Sequence, residues 1–294
     1  MSNEMTDINL SSSGKIQPPK QDKIALIDAD TVVFASCTML EYVEDLLPRD
    51  MYTDEEWADL ISQDGYVEED NCIYAIYLDD AMKHSIDKIQ QILDNTGCTS
   101  YELHFTSGRN NFRYDMVDNY KSNRKGGRAP QGMAKLKQMF VDAGMGTTHK
   151  KWEADDIVVA LKRDNPDKYV LCAVDKDVLY SLPGRHFNYY QSMKYNIEMK
   201  FIEVNGDTAL KHHYMQTLTG DPADGVIGIK GIGPKKAEKL LKDANTPSGL
   251  WGIVIDTYLN NKRDEVDAIL NMRLVNMQQL HIVDGEYKVV LWKP

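Results

Sequence analysis

Lys23-Ile24-Ala25-Leu26-Ile27-Asp28-Ala29-Asp30 is a short apolar run that stops at two acids. An uninterrupted run of this length suits a strand buried on both faces, and the spacing of Val32, Val33 and Ala35 just beyond it suits a helix. The same alternation recurs along the chain. Residues 73–93 have helical spacing, 101–105 read as a strand, 133–143 and 155–161 as helices, and 169–174 as another buried strand. Strands alternating with helices predict an α/β fold with a mostly parallel sheet flanked by helices. In such sheets ligands gather at the carboxyl ends of the strands. Beyond about residue 200 the pattern turns mainly helical, with helices expected over 207–218, 235–242, 249–259 and 265–280 and a last strand over 287–291. No internal repeat is visible. The expected organisation is a loose tail over 1–22, an α/β domain over 23–200 and a helical region over 201–294 that ends in a strand.

Of the 294 residues, 42% are apolar and 27% charged, enough for one large core or two modest ones without cross-links. Cys37, Cys72, Cys98 and Cys172 stand far apart, which argues against both a disulfide framework and a zinc ribbon. Residues 1–22 are polar and lack the apolar stretch of a secretion signal, and no later segment approaches the ~20 apolar residues needed to span a bilayer. The expected setting is the cytoplasm, with no membrane contact. A net charge of −11 looks unfavourable for contact with nucleic acid, but its distribution is uneven. Residues 41–70 carry twelve acids and one Arg, so the remainder is close to neutral; this segment reads as a solvated acidic insertion. Residues 109–128 hold six bases (Arg109, Arg113, Lys121, Arg124, Lys125 and Arg128) against two acids, and 230–242 hold five Lys against one Glu. Either window alone is most simply a solvated basic face.

Acids sit where an α/β sheet would collect them. Asp28 and Asp30 follow the first strand, Glu153, Asp155 and Asp156 open a helix, Asp175 and Asp177 follow the strand at 169–174, and Asp221 and Asp224 lie in a Gly-Asp-Pro-Ala-Asp-Gly turn. Singly, each has an ordinary explanation, since acids favour helix N-termini and Asp favours turns. Collectively they need a counter-charge: two carboxylates ~4 Å apart repel by about 1 kcal/mol in water and about 4 at an effective dielectric of 20. Oxygen ligands point to Mg²⁺, with Mn²⁺ as a substitute, and no two of the seven His have the i, i+4 spacing of a zinc site. Carboxylates around two cations suit phosphoryl chemistry, which makes phosphate esters the expected substrate class.

Gly228-Ile-Lys-Gly231-Ile-Gly233-Pro234-Lys235-Lys236-Ala237 is the most specific motif. Gly231 and Gly233 permit a tight turn, Pro234 can start the next helix, and Lys235 and Lys236 fall in its first turn, where free N–H groups attract an anion such as a duplex phosphate. The simpler alternative is a glycine C-cap followed by an ordinary helix. In Tyr120-Lys121-Ser-Asn-Arg124-Lys125, Lys121 and Arg124 share a face if the segment is helical, placed to clamp a phosphate or to lie idle on the surface.

These motifs, with Ile27-Asp-Ala-Asp30, Glu153-Ala-Asp-Asp156, Val174-Asp-Lys-Asp177 and Gly220-Asp-Pro-Ala-Asp224, occur in the order found in the 5′ nuclease superfamily, which the sequence resembles over residues 23–241. That group contains flap endonucleases, the 5′ nuclease domain of bacterial DNA polymerase I and phage 5′→3′ exonucleases, and the ending Val289-Val-Leu-Trp-Lys-Pro294 is similar to the tail of the phage enzymes. The resemblance implies a PIN-like catalytic sheet, a helix-hairpin-helix for duplex DNA and two Mg²⁺ ions. It implies 5′→3′ exonucleolytic or flap-endonucleolytic cutting in phage-type replication, in the host cytoplasm if the chain is phage-encoded. By the same resemblance, Asp28, Glu153, Asp155, Asp156, Asp175, Asp177, Asp221 and Asp224 would hold metal ions or their waters, and Lys121 and Arg124 would engage the reacting phosphate. Gly231, Gly233, Lys235 and Lys236 would contact DNA, with K⁺ at the hairpin carbonyls. The expected partner is double-stranded DNA with a free 5′ end, nick or flap, or an RNA-DNA hybrid, bound by a monomer. One position departs from the family pattern. Relatives carry Asp after the strand at 102–105, whereas this chain reads Phe105-Thr-Ser107-Gly-Arg109, so either weaker binding of the first metal or compensation by Asp30 is expected.

Two rival readings stand beside this one. Ile27-Asp-Ala-Asp-Thr-Val32 also fits the opening of haloacid-dehalogenase-type phosphatases, with Asp28 as nucleophile, but that leaves Glu153-Ala-Asp-Asp156 and the hairpin without a purpose. A DNA-binding relative that has lost catalysis is the other, for which Ser107 is the evidence.

Overall fold

The computed structural model describes residues 20–45, 49–62, 67–69, 72–108, 111–118, 120–122 and 128–294. Of the tail expected over 1–22, residues 1–19 lie outside the described residues, as do Arg109, Arg124 and Lys125, and its end is corrected because Gln21 and Asp22 already belong to a strand.

The apolar run becomes the strand Gln21–Asp28 at the centre of a six-stranded sheet. It pairs in parallel with Cys98–Thr106 on one side and Tyr169–Ala173 on the other. Thr147–His149 extends the sheet in parallel beyond the first neighbour and Gly184–Asn188 beyond the second, and antiparallel Lys200–Val204 closes that edge. Alternation along the central strand explains why the run is continuously apolar: Ala25 and Ile27 enter the core on one face, and Leu26 enters the core on the other. Val33 and Cys37 of the helix Asp30–Leu40, Ile89 and Ile92 of Leu78–Thr96, and Leu136 and Phe140 of Met133–Asp142 cover the first face. Val158 and Val159 of Ala154–Asp164 and Val178 and Leu179 of Lys176–Leu179 cover the second. Burial of each such Leu, Ile or Phe contributes about 1.5–3 kcal/mol.

Three local readings need correction. Residues 73–93 are not one helix, because Cys72–Ile76 is a strand and the helix starts only at Leu78. In Cys-Ile-Tyr-Ala-Ile, β-branched and aromatic residues outweigh the helical spacing. That strand lies between Glu41–Asp45 and Val67–Glu69 in a small antiparallel sheet, so the acidic insertion carries its own sheet and a helix, Asp54–Ser62. The helix expected over 265–280 runs only from Glu265 to Val275. Asn276 ends it, its side chain accepting from Gln278 N at 2.8 Å, and Leu280–Val283 then pairs with Glu286–Val289 around Asp284-Gly285, both with positive φ (55° and 79°) as a two-residue hairpin requires. The strands Thr147–His149, Gly184–Asn188 and Lys200–Val204 form where no element was expected.

A second core lies within the helices Gly206–Thr219, Pro234–Leu241, Pro247–Asn260 and Glu265–Val275. Tyr258 is its centre; the ring is fully buried and the hydroxyl donates to Thr217 O at 2.6 Å while accepting from Asn271 Nδ2 at 2.8 Å. The terminal hairpin returns to the sheet domain, where Leu280 packs with Ile157 and Ala160 of the helix Ala154–Asp164 in a small cluster of their own. Among the described residues no helix is long and apolar enough to cross a membrane.

Candidate active site

Parallel strands point their carboxyl ends to one edge, and acids collect there. Asp28 ends the central strand, Asp175 follows Tyr169–Ala173, and Glu153 and Asp155 head the helix Ala154–Asp164. That helix is capped from outside, since Thr106 Oγ1 accepts from Ala154 N at 2.9 Å. Asp28, Asp30, Glu153, Asp155, Asp175, Asp177 and Asp224 share the wall of one cleft of about 820 Å³ with Lys121, Tyr114 and Phe34.

The electrostatics of the cleft show how closely the acids are held. Burial, then the neighbouring Asp30 carboxylate, push Asp28 up to about 7. Asp155 is raised well above the usual range by burial, then by Asp28 and Asp175, and Asp175 is raised by burial, then by Asp177. Each therefore favours a proton or a cation beside it. Other acids in the same cleft already have partners. Burial pushes Glu153 up, but Lys121 and Arg113 outweigh it and hold the carboxyl below its ordinary value. Its Oε1 accepts from Lys121, and its Oε2 from Arg113 Nη1 at 3.1 Å and Tyr120 OH at 3.3 Å. For Asp177, burial is outweighed by His212, whose Nε2 lies 3.3 Å from its carboxylate, and the net shift is downward. Asp224 accepts from Tyr120 OH at 2.8 Å, and Lys121 Nζ lies 3.6 Å away.

Six of the eight acids expected to hold metal thus line the cleft, and Asp156 and Asp221 do not. Asp156 is fully buried, both of its oxygens bound by Arg113 at 2.6 and 2.8 Å. Asp221 is half-buried in its turn, accepting from Ala223 N at 2.9 Å, close enough to Asp177 and Asp224 for their charges to raise its pKa after burial. Among the described residues no three His, Cys, Asp or Glu groups form a ready-made metal-binding set. The fit to a divalent cation is therefore one of charge and donor type. Asp28, Asp155 and Asp175 are hard oxygen donors whose mutual repulsion a cation would relieve.

Lys121 is not helical. Its φ is +53°, a left-handed conformation that costs a non-glycine residue about 1–2 kcal/mol, and its N–H donates to Asp224 O at 2.9 Å. The shared helical face expected for Lys121 and Arg124 fails at Lys121, and Arg124 is outside the described residues. The basic window is also broken by burial and by pairing: Arg113 is fully buried, and Arg128 pairs with Glu41 and stacks 3.6 Å from the centre of the Tyr74 ring.

In the glycine hairpin, Ile229 and Ile232 anchor the turn in the second core, Gly231 has φ +80°, and Gly233 caps a helix whose first residue is Pro234. Close backbone approach within the chain occurs elsewhere, at Gly220 and Gly228. A Cβ on Gly220 would lie 2.2 Å from Gly228 N. Gly231 and Gly233 face open space, and Lys235 and Lys236 are exposed. That surface has room for an external backbone.

No protein-family model matches the chain. Among curated proteins, it is 26% identical over 150 residues to flap endonuclease Xni of Shewanella woodyi, covering 48% of this chain and 58% of that one. It is 33% identical over 144 residues to DNA polymerase I of Deinococcus radiodurans, covering 46% of this chain and 15% of that one. The chain thus spans little more than half of the first relative and a small part of the second. Among solved structures, flap endonuclease-1 from Methanococcus jannaschii superposes with a TM-score of 0.51 at 14% identity, over 94% of this chain and 83% of that one. The bacteriophage T5 D15 flap endonuclease, crystallised as a pseudo-enzyme–product complex with DNA and metal ions, gives 0.51 at 15% identity, over 67% and 80%. Relatives in sequence and neighbours in fold agree on one group. The chain has the fold of these flap endonucleases and is similar in sequence to flap endonuclease Xni and DNA polymerase I.

In this 5′ nuclease fold, sequence reading overlooked residues that hold the acids in place. Tyr120 bridges Glu153 and Asp224, and His212 partners Asp177. Asp30 reaches the end of the neighbouring strand, where both of its oxygens accept from Thr106 N at 3.1 and 3.2 Å and Lys137 Nζ lies 2.7 Å away. It therefore brings a carboxylate to the strand end that Ser107 leaves without one. The one available signal was Arg113 between Phe112 and Tyr114, a base among aromatic neighbours rather than in a solvated run.

Proposed function

We propose that this chain is a divalent-metal-dependent 5′ nuclease that hydrolyses DNA phosphodiesters at or near a 5′ end, nick or flap, leaving 5′-phosphate and 3′-hydroxyl products. The observation that carries the reading is the convergence, in one cleft, of acids from four separate segments with the half-buried ammonium of Lys121. Asp28, Asp155 and Asp175 would hold the cations, with Mg²⁺ the natural ion and Mn²⁺ a substitute, and Glu153, Asp177 and Asp224 would orient bound water. When bound, two such cations lower the pKa of the attacking water and stabilise the leaving oxygen.

The chain's own residues do the rest. Lys121, held against Glu153 and Asp224, presents a positive charge to a non-bridging phosphate oxygen, where negative charge grows as the water oxygen bonds to phosphorus and the bond to O3′ breaks. Arg124 is proposed to act beside it. The open backbone around Gly231 and Gly233, with Lys235 and Lys236 at the start of the next helix, would grip a duplex phosphate, and its carbonyls would take K⁺. Residues 23–200 would supply most of the cleft and 201–294 the duplex grip.

The test uses 5′-labelled blunt, nicked and flapped duplexes with Mg²⁺, with and without chelator. Label is expected to be released only when the metal is present. Release that persists in chelator, or turnover of a small aryl phosphate with no cutting of DNA, contradicts the reading.

A further inference from the structure

Arg113 is fully buried, and each of its five N–H donors is satisfied. Nη1 donates to Glu153 Oε2 at 3.1 Å and Asp156 Oδ2 at 2.6 Å, and Nη2 donates to Asp156 Oδ1 at 2.8 Å. The other two bonds leave the sheet domain, from Nε to Leu274 O at 2.9 Å and from Nη2 to Asn276 O at 3.3 Å. Leu274 lies in the last turn of the helix Glu265–Val275, where carbonyls have no partner within the helix and the dipole favours a cation. One guanidinium therefore joins the C-terminal end of that helix to the first turn of the helix that carries the cleft acids.

What lies at each end of this tie gives it a role. Ala268 and Met272 of Glu265–Val275 share a core with Ala237 and Leu241 of the hairpin helix Pro234–Leu241, so a load on the hairpin reaches Glu265–Val275 through packed side chains. On the other side, Glu153 lines the cleft, and Tyr120 OH links it to Asp224. We infer that Arg113 is a positioning residue that couples duplex engagement at the hairpin to the setting of Glu153 in the cleft. This rests on the hairpin being the duplex grip. A merely structural ion pair would need only Asp156; the two backbone carbonyls are what extend the tie to the second core.

The test follows amide hydrogen exchange in the full chain, in chelator, with and without a nicked duplex. In the native chain, duplex is expected to slow exchange both in Pro234–Leu241 and in the first turn of Ala154–Asp164. Arg113→Lys keeps the charge but loses the planar fork. Duplex-induced protection should persist at Pro234–Leu241 and vanish at Ala154–Asp164, and Mn²⁺ affinity by calorimetry should fall ~10–100-fold. If Arg113→Lys does not fold, Arg113→Met with Asp156→Leu replaces the buried pair with apolar groups, a change that cores often tolerate, and the same loss of protection is expected. Protection at Ala154–Asp164 equal to the native chain in the variant that folds overturns the inference. Absence of protection at Pro234–Leu241 in the native chain overturns the duplex reading itself, and the inference with it.

Discussion

Asp175 does two things at once. Its side chain caps the short helix Lys176–Leu179 by accepting from Asp177 N at 2.8 Å, and its charge bears on Asp155 and Asp28 across the cleft. Asp175→Ala gives up a cap worth about 1 kcal/mol and a cleft carboxylate worth far more to the reaction. Single-turnover release of 5′-labelled product should drop ~10²-fold or more, because a lost cation forfeits several kcal/mol of transition-state stabilisation, while duplex binding in chelator stays as in the native chain. Retention of full cleavage would remove Asp175 from the proposed set. The acids legible in the sequence are those whose position the local chain dictates: Asp28 and Asp175 follow buried strands, and Glu153 and Asp155 head a helix. The fate of Asp156 was not legible, because it depends on Arg113, 43 residues away. Lys121 was recognised as a base, but its left-handed backbone is fixed through Asp224, more than 100 residues on.

At the scale of elements, long periodic segments read well and short ones did not. The helices Met133–Asp142, Ala154–Asp164 and Gly206–Thr219 carry enough turns for their spacing to be seen. Cys72–Ile76 was absorbed into the following helix, because five residues cannot separate the two periods. The glycine hairpin was legible from composition alone, yet the sites of tight backbone contact, Gly220 and Gly228, come together only through the pairing of Gly220–Asp221 with Val226–Ile227. The exposed lysines of the hairpin give the prediction at this scale. Lys235→Ala with Lys236→Ala should weaken duplex binding, and the slope of log K against log salt should shrink by about 1.8, two phosphate contacts at ~0.9 each, with the fold intact. Binding titrations over a range of salt concentrations measure it; an unchanged slope means that the duplex is held elsewhere.

For the whole molecule, the net charge of −11 conceals a division of labour. The insertion carries twelve of the 45 acids, Glu41 there binds Arg128, and seven acids outside it line the cleft. Sensitivity to low pH has a separate source at the sheet edge. His149, whose Nε2 lies 3.0 Å from His104 Nδ1, is lowered to about 4 by burial and then by the charge of His104. Its folded pKa lies below the ordinary value near 6.5, so between these limits the unfolded chain binds the extra proton. The associated stability is complete above about pH 6.5 and is lost as pH falls through 4. Thermal melts at stepped pH should show a shallower decline over this window for His149→Gln than for the native chain; identical slopes would place the acid sensitivity in other groups.

The most direct measurement is anomalous diffraction at the manganese edge from a crystal soaked in Mn²⁺. The expected result is strong peaks inside the cleft beside Asp28, Asp155 and Asp175, none of them at Asp156. A cleft without manganese, or peaks confined to the outer acids of the insertion, would mean that these side chains meet for some purpose other than holding the cations of a nuclease.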